Sequence, residues 1–303
     1  MMRSDTGRAV LLIVVAVFLL SVSDALIKAS AADFSMWQLY VLRSGLATLL
    51  LLLPLFNAAG RGALLPRSWA WVYARSVLLG LMWVAFYAAL PLISLSLAAL
   101  AIYTTPLFIA VFSAISGHEQ ITRRKGLAIL VGFAGVLITL SPGAEGFSPW
   151  VLLPVLAAVF YAWAAVLTKT RCQAESTLAL SFAANFTLLL MGLVGTAVLW
   201  AVGPWPEPTY RFLLGTWGAM SASMLALMGL LAVLAVVVTA AIARAYQLGE
   251  TSVVGAFDYV YLVFAVMWGA LLFDEHLTLK MFAGLLLIVA SGLSLLVPAK
   301  ANA

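Results

Sequence analysis

The chain reads as an all-α membrane protein: ten transmembrane helices, in two inverted five-helix repeats around a central cavity. Three observations predict this. Of the 303 residues, 65% are hydrophobic and 9% charged, with a mean hydropathy of +1.14. The apolar residues come in runs of about 20, the length a helix needs to cross a hydrocarbon core about 30 Å thick. Residues 98–142 and 254–298 are two versions of one segment, 156 positions apart with no gap.

A soluble domain carries about 25% charged residues, far more than this chain. Within a bilayer only helices and closed barrels satisfy every backbone hydrogen bond. The runs lack the apolar/polar alternation of barrel strands, so helices are expected. The spans fall at 8–30, 35–56, 69–92, 95–116, 124–141, 149–169, 177–202, 221–247, 251–273 and 280–297. The first could be mistaken for a signal peptide, with Arg3 and Arg8 before it and Ala29-Ser30-Ala31 at its end. Its length, with Asp24 and Lys28 inside it, favours a retained helix. Pro204, Pro206 and Pro208 oppose an ordinary helix after the seventh span, so 209–220 is expected at the outer interface. An extra span there is the competing reading.

The repeat pairs Tyr103 with Tyr259, Phe108 with Phe264, Glu119 with Glu275, and Pro142 with Pro298. The third and eighth spans extend the same offset. The first two spans match the sixth and seventh more weakly, 141 positions on, with Lys28 meeting Lys169. Residues 1–146 therefore hold helices 1–5, and residues 147–303 hold helices 6–10. An odd number of helices per repeat makes the second copy enter the membrane from the other side. With the N-terminus in the cytoplasm, Arg123, Arg124, Lys125, Lys169, Arg171 and Arg244 gather on the inner side. This positive-inside bias puts both termini in the cytoplasm.

The net charge of +5 sits in short loops and is no nucleic-acid signal. The sole cysteine, Cys172, forms no internal disulfide, and His118 and His276 are too few for a histidine-rich metal site. No cofactor is expected. HExxH, phosphate-binding glycine loops and GxSxG are missing, which argues against an enzyme. An intramembrane hydrolase using Asp24 and Asp258 is the weakest reading. An internally repeated chain this apolar points to a transporter of small molecules.

Charges inside a membrane are costly and mark pathways or pairs. Lys28/Lys169, Glu119/Glu275 and Arg124/Lys280 are matched between the halves and lie at helix ends, where anchoring explains them. Asp258, Asp24, Arg43, Arg75 and Arg244 have apolar repeat partners, so symmetric scaffolding does not require them. Asp258 is the first candidate for substrate binding. Asp24, Lys28, Arg43 and Arg244 are candidates for coupling or ion pairing, Asp24 and Lys28 being four apart on one helix. Arg75 and Arg244 lie near cytoplasmic ends, where snorkelling is the simpler role.

Aromatics form a second set. Trp83 and Tyr87 share a face of the third span, Phe160 and Trp163 a face of the sixth, and Tyr103 and Tyr259 are repeat mates with Tyr261 close by. Packing and interface belts are the plain explanation. A wet aromatic-lined cavity is the functional one, and makes Trp83, Tyr87, Tyr103, Trp163 and Tyr259 substrate-binding candidates. Ala128, Gly132 and Gly135 on the fifth span, and Gly284, Ser291 and Gly292 on the tenth, suit close helix packing or a dimer contact. A monomer or weak homodimer is expected.

Ala-Leu-Ala-Ile-Tyr-Thr-Thr-Pro at residues 99–106, Gly117-His118-Glu119 and the glycine-rich helix that follows resemble the drug/metabolite transporter superfamily, specifically its EamA-type ten-helix members. Ala245-Tyr246, Asp274-Glu275 and Gly284 carry the resemblance in the second copy. The chain departs from the usual pattern at Leu262, where a proline parallel to Pro106 is frequent, and this puts a symmetric hinge in doubt. The resemblance implies a basket of ten helices in the bacterial inner membrane that exports amino acids, other metabolites or drugs. Within the superfamily the chain looks most like the YddG type of amino-acid exporter, which handles aromatic and other neutral amino acids. Efflux of amphipathic cationic drugs is the alternative.

Overall fold

The computed structural model describes residues 2–30, 33–53, 63–89, 92–93, 98, 101–117, 119–140, 148–203, 211–272 and 278–296. Among these the regular structure is helical. The helices are α1 Met2–Ser30, α2 Met36–Leu52, α3 Trp69–Ala89, α4 Thr105–Ile115, α5 Arg123–Leu140, α6 Leu152–Thr170, α7 Thr177–Val202, α8 Arg211–Leu214, α9 Ala222–Leu248, α10 Thr251–Phe257, α11 Val260–Leu272 and α12 Leu279–Leu296. Six segments are long and apolar enough to cross a membrane: α1, α3, α6 with its preceding 3-10 turn, α7, α9, and α10–α11 together. α2, α4 and α12 are apolar but shorter. Large apolar side chains face outward, among them Leu49, Ile115, Val194 and Leu279, a surface that suits lipid rather than water.

Polar side chains start several helices. Ser35, Ser176 and Ser221 cap α2, α7 and α9 by accepting from Gln38 N, Leu178 N and Met224 N. Ser221 thus sets α9 as one 27-residue helix. Ahead of it, α8 and residues 215–220 fold onto α2 and α7. Gln38 clamps Gly218 through both ends of its amide, and Trp217 donates to Thr196 Oγ1 at 3.1 Å. Pro204, Pro206 and Pro208 lie outside the described residues, as do His118, Glu275, His276, Pro142 and Pro298.

The fourth span, where Pro106 predicts a bend, and the ninth are each broken. α4 begins after a tight turn at Tyr103–Thr104, and α10 and α11 are separated by one at Asp258–Tyr259. Tyr103 and Tyr259 are repeat mates, so both copies break at the same place. In the first copy, Pro106 has no N–H to give Ile102 O, and the Thr105 hydroxyl donates there instead at 2.6 Å. The second copy lacks that proline, yet Tyr261 N bonds Asp258 O and Leu262 N bonds Tyr259 O in the tighter i→i−3 pattern. The departure at Leu262 therefore does not abolish the second break.

The helices pack in pairs that persist when the two repeats are exchanged. α5 packs on α12 and α2 on α7. The pair α3–α6 has its counterpart in α9–α1, and α4–α6 in α11–α1. At the α5–α12 crossing the backbones nearly touch: a Cβ on Gly135 would lie 2.7 Å from Gly284 O and 3.1 Å from Ile288 N. Small residues here close the contact, and neither helix contributes to the central cavity.

Candidate functional site

A cavity of about 220 Å³ lies among α1, α2, α3, α4, α6, α7, α9 and the α10–α11 break. Its wall is aromatic and aliphatic, with Trp83, Phe86, Tyr103, Tyr161 and Tyr261 among the larger side chains. Four charged side chains reach it: Asp24, Arg43, Arg75 and Asp258. Asn185 and Thr239 add a neutral polar strip held by an α7–α9 hydrogen bond of 3.3 Å. A mostly apolar wall with a few convergent polar groups is the ordinary build of a small-molecule site.

Each carboxylate is held by a tyrosine from another helix. The Tyr261 hydroxyl donates to Asp24 Oδ2 at 2.6 Å, tying α11 to α1. Asp258 sits at the α10–α11 break, and Tyr246 of α9 donates to its Oδ2 at 2.6 Å. The break matters here, because a regular helix would leave residue 258 on a continuous face. The guanidinium groups are held differently. Arg43 lies 5.8 Å from the centre of the Tyr40 ring, and its Nε has no partner. Arg75 Nε donates to Thr168 Oγ1 at 2.6 Å, while its Nη1 has none.

Asp258, Asp24, Arg43, Trp83 and Tyr103 are therefore brought together. Other candidates are not. Tyr87 packs behind Trp83, their rings stacked at 5.4 Å, and faces Tyr40 and Phe212. Trp163 points outward and stacks on Phe112 at 4.6 Å. Tyr259 is fully buried beside Val136 and Ile288, away from the cavity. Lys28 is exposed near the end of α1, and Arg244 is exposed with Nη1 3.5 Å from Gln247 Oε1. Arg75, expected to snorkel, is only 3% exposed and lines the cavity. Tyr161, Asn185 and Thr239 carried no sequence signal, and Tyr246 stood out only within the Ala245-Tyr246 motif. Their roles depend on neighbours from distant segments.

A polar cluster lies at one end of the bundle. Glu119 accepts from Lys125 Nζ at 3.0 Å and from Ser252 N at 3.0 Å, and also from the Ser252 hydroxyl. Lys125 also pairs with Glu250. Lys169 Nζ donates to Gln247 O at 3.0 Å. These contacts join the α4–α5 connection and the end of α6 to the α9–α10 connection. A small pocket of about 40 Å³ lies at this cluster, lined in part by Ser113, Glu119, Lys169 and Glu250. Nearby, burial pushes the Cys172 thiol from 9.0 up to about 11.

Residues 7–141 match the EamA-like transporter family. That match makes this stretch of the chain EamA-like. The similarity extends to whole proteins. The pseudopaline exporter CntI of Pseudomonas aeruginosa (strain UCBPP-PA14) is 29% identical over 287 residues, 94% of this chain and 95% of its own. The S-adenosylmethionine uptake transporter of Rickettsia bellii is 23% identical over 63% of this chain and 60% of its own. The riboflavin transporter of Vibrio cholerae is 29% identical over 62% and 58%. A solved crystal structure with a TM-score of 0.75 and 20% identity covers 94% of this chain and 97% of that one, and shares the fold. With its six long apolar helices, the chain is thus a multi-pass membrane protein of the transporter type.

Proposed function

We propose that the chain exports small zwitterionic metabolites, neutral and aromatic amino acids first among them, across the bacterial inner membrane by alternating access. The observation that carries this is one cavity holding two carboxylates and two guanidinium groups beside an aromatic wall. Opposite charges suit an ammonium and a carboxylate on one ligand, and the rings suit its side chain. Export follows the relative matched over nearly its whole length, which is named an exporter. The alternative, efflux of amphipathic cationic drugs, fits less well. About 220 Å³ is below the roughly 300–1,000 Å³ typical of drug-sized sites, and a ligand with only a cation would leave both arginines without a counter-charge from it.

The architecture in this reading is ten spans in two inverted halves, with both termini in the cytoplasm. The exchange-related helix pairs and the matched breaks at Tyr103 and Tyr259 support it. Broken helices at mid-membrane are how secondary transporters bring backbone and side chains to a substrate. The cluster of Glu119, Lys125, Glu250 and Ser252 then closes the cytoplasmic side. Competition tests the substrate class. Zwitterionic amino acids displacing a bound fluorescent amino acid, with cationic dyes inert, is the expected result. Displacement by dyes alone would favour the drug reading.

A further inference from the structure

Arg75 and Asp258 line the same cavity but do not pair with each other: no carboxylate lies within 4.0 Å of Arg75 among the described residues. Each is fixed on one side and open on the other. Thr168 Oγ1 holds Arg75 Nε, and Arg75 Nη1 is buried without a partner. Tyr246 holds Asp258 Oδ2, and Asp258 Oδ1 is buried without a partner. Tyr161, on the same wall, interacts with the Asp258 carboxylate alongside Tyr246 and is within electrostatic reach of Arg75. A buried polar atom left unsatisfied costs about 1–3 kcal/mol, and more when charged. Folding has kept two such atoms of opposite sign in one chamber, each oriented by a neighbour.

We infer that Arg75 and Asp258 form the head-group site, Arg75 Nη1 binding the carboxylate and Asp258 Oδ1 the ammonium of an α-amino acid. This assignment rests on the amino-acid reading above and adds to it a discrimination rule. The ligand must carry both charges, because either alone leaves one buried partner unpaired. Asp24 and Arg43 differ: Tyr261 holds Asp24, and Arg43, whose Nε also lacks a partner, rests on the Tyr40 ring. The substrate's side chain is left to the apolar wall formed by Met82, Phe86 and Ile102.

Three probes with one phenyl ring separate the charges: phenylalanine, phenethylamine without the carboxylate, and 3-phenylpropionate without the amine. The measurement is inhibition of labelled phenylalanine transport in proteoliposomes. In the unaltered protein both single-charge probes should compete at least tenfold more weakly than phenylalanine. Arg75→Gln should weaken phenylalanine by about 10- to 100-fold, the loss of one hydrogen bond between charged groups, and leave phenethylamine unchanged. Asp258→Asn should instead erase discrimination against 3-phenylpropionate. An Arg75→Gln protein that still prefers phenylalanine over phenethylamine by the original ratio overturns the assignment, with amino-acid transport intact. If that variant is not recovered folded, Thr168→Val, which frees Arg75 Nε with little change in volume, decides by the same ratio. A narrowed ratio supports the assignment and an unchanged one overturns it. No amino-acid transport by the unaltered protein overturns the transport reading and the assignment together.

Discussion

Replacing Lys125 by alanine should open the end of the bundle that carries the Glu119 cluster. The magnitude follows from the two ion pairs that the substitution removes. The Glu119 pair is 3.0 Å long, with the two side chains only 18% and 8% exposed. A hydrogen bond between charged groups in that setting contributes about 1.5 kcal/mol. The Glu250 pair ends on a carboxylate that is 48% exposed, and solvent screening limits it to about 0.5 kcal/mol. Together they amount to about 2 kcal/mol, or about 30-fold in the ratio of closed to open forms. The Ser252 bonds to Glu119 remain, so the closed form survives as one of two populated states. Ser113 is 2% exposed, lines the pocket at this cluster and has no hydrogen-bond partner for its hydroxyl, so Ser113→Cys is a mild reporter. In a Cys172→Ser background, maleimide labelling in inside-out vesicles should follow the open population when opening is faster than labelling. Lys125→Ala should raise the labelling rate about 30-fold by this arithmetic. Equal rates with and without Lys125, and again with Glu119→Ala, would refute a closing role for the cluster.

Asp258→Asn should lower transport at least about tenfold, since a charged partner contributes roughly 1.5–3 kcal/mol, while the yield of folded protein is maintained. Unchanged uptake would remove Asp258 from the mechanism. Gly135→Ala should destabilise the chain by about 1–3 kcal/mol through overpacking against α12, read as earlier heat-induced loss of the monodisperse peak. Gly126→Ala, with nothing within 4 Å of the new Cβ, should be neutral or stabilising. Cys172 should resist maleimide at pH 8–9 until the chain unfolds. Its thiol stays protonated up to about 11 when folded, against 9.0 when free, so the folded state holds the extra proton in that window. Stability is therefore lost as pH rises from about 9 to about 11, and denaturation midpoints at pH 8 and pH 10.5 check the sign.

The helical class and the order of the helices were legible because hydrophobic length and a 156-residue offset are properties of the chain itself. The breaks were only half legible. Pro106 marks the first, but nothing local marks the second, where Tyr261 and Leu262 adopt the tighter bonds without a proline. Spacing placed Trp83 and Tyr87 on one helix face, yet Trp83 reaches the cavity and Tyr87 sits behind it. Periodicity says which residues share a face and not which of their edges meets the cavity. The unmatched charges Asp24, Arg43 and Asp258 stand out when the repeats are compared, and they converge on the cavity. Arg75 is harder to place, because its position near a helix end suggests snorkelling, whereas Thr168, 93 residues away, holds it inward. The Tyr261–Asp24 bond spans 237 residues, and no pattern within either segment announces it.

The proposed role is movement of amino acids through the charged aromatic cavity. Uptake of labelled phenylalanine, methionine and threonine into proteoliposomes, with and without a pH gradient, tests it most directly. Saturable uptake of at least one of the three is expected, abolished or sharply weakened by Asp258→Asn. Folded protein that moves none of them under either condition would contradict it.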